Sequence, residues 1–266
     1  MVEILSYEFI QNAIFSAILI SLIAGIVGSL VVVNRMVFLT GGVAHSAYGG
    51  IGMALYFGIP LFFGAGVFAV FTAIILAVLT FKKRSDMDTF IGVIWAVGMA
   101  IGIIFVDLTE GYNVDLMSYL FGSILAVDSS DIYFMVGLLI LTIIIVVIWY
   151  RDILAVSYDM EYAMLRGIDV KKFYTLILVL SALSVVVAIK VVGLILVIAL
   201  FTIPVYIAQR ISKSLWVMMI IASMISLIAS LIGLFLSYSF NLTSGASIIL
   251  INAFIFILFL IFYHKK

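Results

Sequence analysis

Long unbroken apolar runs fill this chain, separated by short polar punctuation, with no strict alternation of apolar and polar positions. A helix needs roughly 20 apolar residues to cross a hydrocarbon core, whereas a membrane barrel shows alternation over about ten. The runs predict helical spans at about 9–33, 37–58, 61–81, 89–107, 132–150, 173–190, 192–209, 215–238 and 245–263. Pro60 and "RISKS" (210–214) mark two of the turns. The stretch "LMSYLFGSILAV" (116–127) is apolar but too short to cross, and is expected as a re-entrant or interfacial helix. The expected fold is thus an all-α integral membrane protein: a bundle of eight to nine transmembrane helices plus one short helix, in a single domain over 1–266.

Composition agrees with the pattern. Apolar residues make up 67% of the 266 and charged residues 10%, where a soluble chain carries about a quarter charged residues. The absence of cysteine excludes disulfide scaffolds, thiolate metal sites and cysteine nucleophiles. A net charge of zero gives no reason to expect a nucleic-acid partner. The opening "MVEILSYEFIQN" has acids where a signal peptide would have Lys or Arg, so the first run reads as a retained helix.

Charge placement sets the orientation. Arg35, Lys82, Lys83, Arg84, Arg151, Arg166, Lys171, Lys172, Arg210, Lys213, Lys265 and Lys266 share one side of a nine-span arrangement, which the positive-inside rule makes cytoplasmic. Glu3, Glu8, Asp107, Glu110, Asp115, Asp128 and Asp131 fall on the other side, so the N-terminus is expected outside. Those acids are either simply solvated or gather cations at an entrance. Lys190 lies near the outer end of its span, where it can snorkel or pair with an acid.

The cytoplasmic loop "RDILAVSYDMEYAMLRGIDVKK" (151–172) is the longest polar insertion. Asp159 can cap a short helix, Glu161 lies in its first turn, and Gly167 sits where such a helix stops. Between them "MEYAML" puts apolar side chains on a cytosolic loop, which implies either a docking partner or contact with the bilayer surface. No G-x-x-x-x-G-K-[ST] loop occurs, so any ATP would be bound by another subunit.

One titratable group lies deep in the apolar sequence. His45 sits in "GGVAHSAYGG" (41–50), and no Asp, Glu, Lys or Arg occurs from Met36 to Phe81. On a helix it shares a face with Gly41, Gly49 and Gly52, beside a stripe of Gly42, Ser46 and Gly50. Such stripes let membrane helices approach closely. They could equally clear room beside the imidazole for a neighbouring helix, water or an ion. Ionisable groups inside membranes tend to line pathways, and neutral imidazole ligates borderline divalent metals. Metal ligand and satisfied polar residue both stay open on spacing alone.

Five blocks in order resemble the permease subunits of prokaryotic zinc/manganese/iron ABC importers: "GGVAHSAYGGIGMAL" (41–55), "GYNVDLMSYLFGSILAV" (111–127), "SYDMEYAMLRGI" (157–168), "VVGLILVIALFTIPVYIA" (191–208) and "GLFLSYSFNLTSGASIIL" (233–250). The resemblance implies a pair of permeases, two cytosolic ABC ATPase subunits docked on coupling helices, and an extracytoplasmic metal-binding protein that delivers a divalent metal ion as substrate. It makes 157–168 the coupling helix, with Asp159, Glu161 and Gly167 at matching positions, and the cytoplasmic membrane the location. His45 matches the family's histidine on the route-lining second helix, with Gly41, Gly49, Gly52 and Pro204 shaping the path, Pro204 through a helix break.

The chain departs from the family pattern at Gly41, which stands where an aspartate is common, and at Gly49, which replaces a proline. Losing the carboxylate disfavours hard Mn²⁺ more than Zn²⁺, so zinc is the favoured cargo, with Mn²⁺ or Fe²⁺ as alternatives. No permanently bound cofactor and no enzymatic activity of its own are expected. The rival readings are a permease for iron chelates or cobalamin and an ion-coupled secondary transporter. An intramembrane enzyme would need convergent catalytic groups, and neither H-E-x-x-H nor paired deep aspartates occur.

Overall fold

The computed structural model describes residues 7–81, 83–109, 124 and 127–263. The expected re-entrant helix at 116–127 lies outside the described residues except for Ile124 and Val127, as do Glu3, Lys82, Glu110, Asp115, Lys265 and Lys266. All regular elements among the described residues are helical: α1 (Glu8–Val33), α2 (Val37–Phe57), α3 (Leu61–Thr80), a 3-10 turn (Arg84–Asp86), α4 (Met87–Asp107), α5 (Ser129–Ile148), α6 (Tyr150–Tyr158), α7 (Met160–Leu165), α8 (Val170–Val192), α9 (Leu194–Ile211), α10 (Leu215–Phe240) and α11 (Ser244–Tyr263). Eight of these, counting α4 with its 3-10 turn, are long and apolar enough to cross a membrane. The exception among the nine long helices is α2, whose glycines, serine and histidine dilute its hydropathy.

The expected spans correspond to α1–α5 and α8–α11, with ends shifted by up to three residues. Local chemistry explains the boundaries. Gly58 ends α2 at φ +67°, a left-handed cap in which the Ile59 N–H donates to Ala54 O at 2.9 Å, and Pro60 follows. Asn241 ends α10 in the same conformation, and Ser237 Oγ donates to Leu242 O at 2.6 Å. A single residue, Gly193 at φ +79° and ψ +163°, separates α8 from α9. That conformation is open to glycine and costly for any residue with a Cβ.

The helices group into two compact units, each assembled from distant stretches of sequence: 1–32, 117–147 and 187–266 in the first, 33–116 and 148–186 in the second. In the first unit α9, α10 and α11 pack against one another. There α1 meets α10 where Ser21 and Ser230 share a hydrogen bond at 3.4 Å. A Cβ on Gly25 would lie 2.1 Å from Ser223 Oγ, and one on Gly28 would lie 2.9 Å from Phe201 O on α9. In the second unit α2 lies against both α3 and α4. Lipid supplies no hydrophobic force between spanning helices, so close approach of small residues and polar contacts must hold them.

The α2–α4 contact is a glycine seam. A Cβ on Gly49 would sit 2.7 Å from Gly98 O, and one on Gly52 would sit 2.3 Å from Gly102 O. The reverse holds too: a Cβ on Gly98 would meet Ser46 Cα at 2.7 Å. Residue numbers rise together across this seam, so α2 and α4 run parallel. Gly50 against Gly64 makes the α2–α3 contact of an antiparallel hairpin.

Candidate functional site

The second unit places His45 on the edge of the α2–α4 seam. Its imidazole is half-buried and stacks on the indole of Trp95, with ring centroids 4.0 Å apart and planes 12° from parallel. Trp95 lies three residues before Gly98 on α4, and its Nε1–H donates to Met99 Sδ at 3.0 Å. Because Gly98 lets the Ser46 backbone come into contact, the residue next to Ser46 arrives beside Trp95.

Gly41 is buried on α2. Gly49 and Gly52 are buried against α4, and the space their missing side chains leave is filled by Gly98 backbone and the Phe68 ring at Gly49 and by Gly102 backbone at Gly52. Pro204 is buried inside α9, and the helix continues through it from Leu194 to Ile211. The expected break at Pro204 is absent, because one missing N–H in mid-helix costs a bond without ending the helix. Among the described residues no three His, Asp or Glu side chains gather as a metal cage.

The segment 151–172 is folded into helices rather than a loop. Asp159 caps α7, its carboxylate accepting the Tyr162 N–H at 2.9 Å, and Glu161 is exposed in the first turn. Gly167 ends it at φ +75°, with its N–H donating to Met164 O at 3.0 Å and the Ile168 N–H donating to Ala163 O at 3.1 Å. Only Ala163 of α7 is buried, while Leu165 is 88% exposed.

A polar chain invisible in the sequence holds the base of this segment. Asn34 Nδ2 donates to Ser157 Oγ at 2.9 Å, and Arg84 Nη2 donates to Asn34 Oδ1 at 3.5 Å. The Arg84 guanidinium lies 4.8 Å from the Tyr174 ring centroid, and the Tyr174 hydroxyl bonds Thr80 Oγ1 at 2.7 Å.

In the first unit, Lys190 Nζ forms an ion pair with the buried Asp131 carboxylate at the start of α5. The Asp128 N–H donates to the other carboxylate oxygen at 3.3 Å, and Asn12 Nδ2 donates to Val127 O at 3.4 Å. Sequence placed Lys190 near acids but could not pick which one. It offered no signal for Trp95, though the Gly98-xxx-Gly102 spacing on α4 marks the seam partner that brings it to His45.

Apolar spanning helices, glycine-mediated helix contacts and an exposed capped helix between spans define a multi-pass α-helical membrane protein. The chain belongs to the ABC 3 transport family, which it matches over residues 6–263. It is 47% identical over 262 residues to the uncharacterized membrane protein slr2045 of Synechocystis sp., covering 98% of this chain and 93% of that one. The manganese transport system membrane protein MntC of Halalkalibacterium halodurans is 30% identical over 264 residues, covering 99% of this chain and 90% of MntC. Among solved structures, PsaBC from Streptococcus pneumoniae in complex with Fab superposes with a TM-score of 0.84 at 31% identity, covering 96% of this chain and 91% of that one.

Proposed function

We propose that the chain is the membrane permease of an ATP-driven importer for a divalent transition-metal ion. In this reading it works as one of a pair, driven by cytosolic ATPase subunits and supplied by an extracytoplasmic metal-binding protein. The observation that carries the energy-coupling part is α7: a capped helix with Tyr162, Met164 and Leu165 at least half exposed, on a base tied through Asn34, Arg84 and Tyr174. An exposed apolar face fixed this firmly suits a protein partner that pushes on it.

Manganese is the first cargo to test. The expectation of zinc rested on the carboxylate missing at Gly41, and a donor set that holds its ion only in passing selects weakly among metals. MntC, similar over nearly its whole length, is named for manganese transport. His45 would contact the ion during passage. Closure of the ATPase pair would move α7 and switch the route between outward and inward openings.

Elemental analysis of cells carrying the complete system, with and without this permease, tests the cargo. Permease-dependent manganese accumulation is expected. Accumulation of zinc alone overturns the manganese reading, and accumulation only when a chelate is supplied overturns free-ion import. Replacing His45 with Ala should cut uptake and leave assembly intact; full uptake removes His45 from the route. Charge reversal at Asp159 and Glu161 should uncouple ATP hydrolysis from uptake, and Leu165→Glu should prevent co-purification of the ATPase.

A further inference from the structure

We propose that Trp95 is the positioning residue for His45, holding the imidazole face-on so that its edge meets the passing metal ion. The inference rests on the reading that His45 contacts the cargo. A histidine that ligates metal commonly has its orientation fixed by a hydrogen bond from its second ring nitrogen to a carboxylate, carbonyl or water. Here the position one helical turn before His45 is Gly41, which has no side chain to serve. Among the described residues no hydrogen bond to either ring nitrogen is present. The stack at 4.0 Å and 12° takes over that role. It covers one face of the half-buried ring.

Trp95 is itself held. Its Nε1–H is committed to Met99 Sδ at 3.0 Å, one turn further along α4. The glycine seam fixes the distance between the two helices, because Gly98 meets Ser46 and Gly102 meets Tyr48 with no room for a Cβ. The chain of support therefore runs from seam to indole to imidazole. Aromatic rings offer a flat apolar contact of defined geometry, which suits a membrane-embedded site where a second buried charge is costly.

The test combines uptake with spectroscopy on the full permease and its partners. Trp95→Leu should lower the initial metal uptake rate about tenfold, in the range found for groups that orient a metal ligand. Trp95→Phe, which keeps a stacking face, should stay within about twofold of the parent. In a His45→Ala background, Trp95→Leu should cost nothing further. For the second readout, the chain's 3 tryptophans are reduced to Trp95 by Trp149→Phe and Trp216→Phe. Co²⁺ bound at the His45 edge should quench Trp95 emission saturably, and His45→Ala should abolish that quenching.

Independent losses from Trp95→Leu and His45→Ala, Phe no better than Leu, or quenching indifferent to His45 would each overturn the inference. Normal uptake by Trp95→Leu beside lost uptake by His45→Ala would remove Trp95 and leave the His45 role standing. Normal uptake by His45→Ala would instead remove the role on which the inference rests. If Trp95→Leu fails to fold, the quenching measurement decides, since it keeps Trp95 in place.

Discussion

The two units solve the same problem, holding helices together in lipid, by different means. In the second, α2 and α4 meet glycine on glycine, Gly49 on Gly98 and Gly52 on Gly102, and the contact is backbone on backbone. In the first, α1 meets α10 with glycine on one side only, Gly25 against Ser223, and adds a Ser21–Ser230 hydrogen bond. At the α5–α8 contact it uses a full ion pair, Asp131 with Lys190. At Gly52 and Gly102 the facing atoms are backbone, so the seam sets a distance there that no rotamer change can relieve. Polar contacts fix register through direction, and their partners can shift when one is altered. The seam that carries His45 is the rigid kind.

Four substitutions probe that contrast, in falling order of effect. Gly52→Leu drives a Cβ to within 2.3 Å of Gly102 O and 2.7 Å of its Cα, so it should exceed the ~1–3 kcal/mol of ordinary overpacking. The check is loss of monodisperse protein after detergent extraction. In the polar unit, Lys190→Met strands a buried carboxylate. The cost should fall below the ~3–5 kcal/mol typical of fully buried pairs, since the Lys190 side chain is 36% exposed. Adding Asp131→Asn should recover most of the melting temperature, and a double variant no more stable than the single would contradict the pairing.

Gly42→Ala falls between the two kinds of contact. Its Cβ would meet Ile91 Cγ2 at 2.2 Å, with the next atom at 3.5 Å. It should destabilise by about 1–2 kcal/mol and be rescued by Ile91→Ala in a thermal-unfolding series, whereas no side-chain change can rescue Gly52. Ser21→Ala should be the mildest, near the ~0.6 kcal/mol average for polar contacts between membrane helices. A large effect there would mean that the serine seam is as unforgiving as the glycine one.

Much of this was legible in sequence wherever the governing physics is local. Run length set the spans, and Asp159 and Gly167 announced the ends of α7 because caps and left-handed glycines act within four residues. The stripe through Gly49 and Gly52 announced a close approach, though not to which helix. What escaped was anything that needed a partner dozens of positions away: Trp95 on His45, Asp131 on Lys190, and Asn34 bridging Arg84 and Ser157. Pro204 misled, since proline carries the same local signal in a helix that stops and in one that tolerates the lost bond. A span's hydropathy also misleads about α2, which is shielded by α3 and α4 and need not be greasy itself.

Leu165 has a consequence for the life of the protein in the cell. If α7 docks a partner subunit as proposed, a copy made in excess of that partner would leave Tyr162, Met164 and Leu165 uncovered on a capped helix, the kind of signal chaperones and proteases read as unfinished assembly. Its abundance would then follow that of its partner by selective destruction of orphans, with no transcriptional control required.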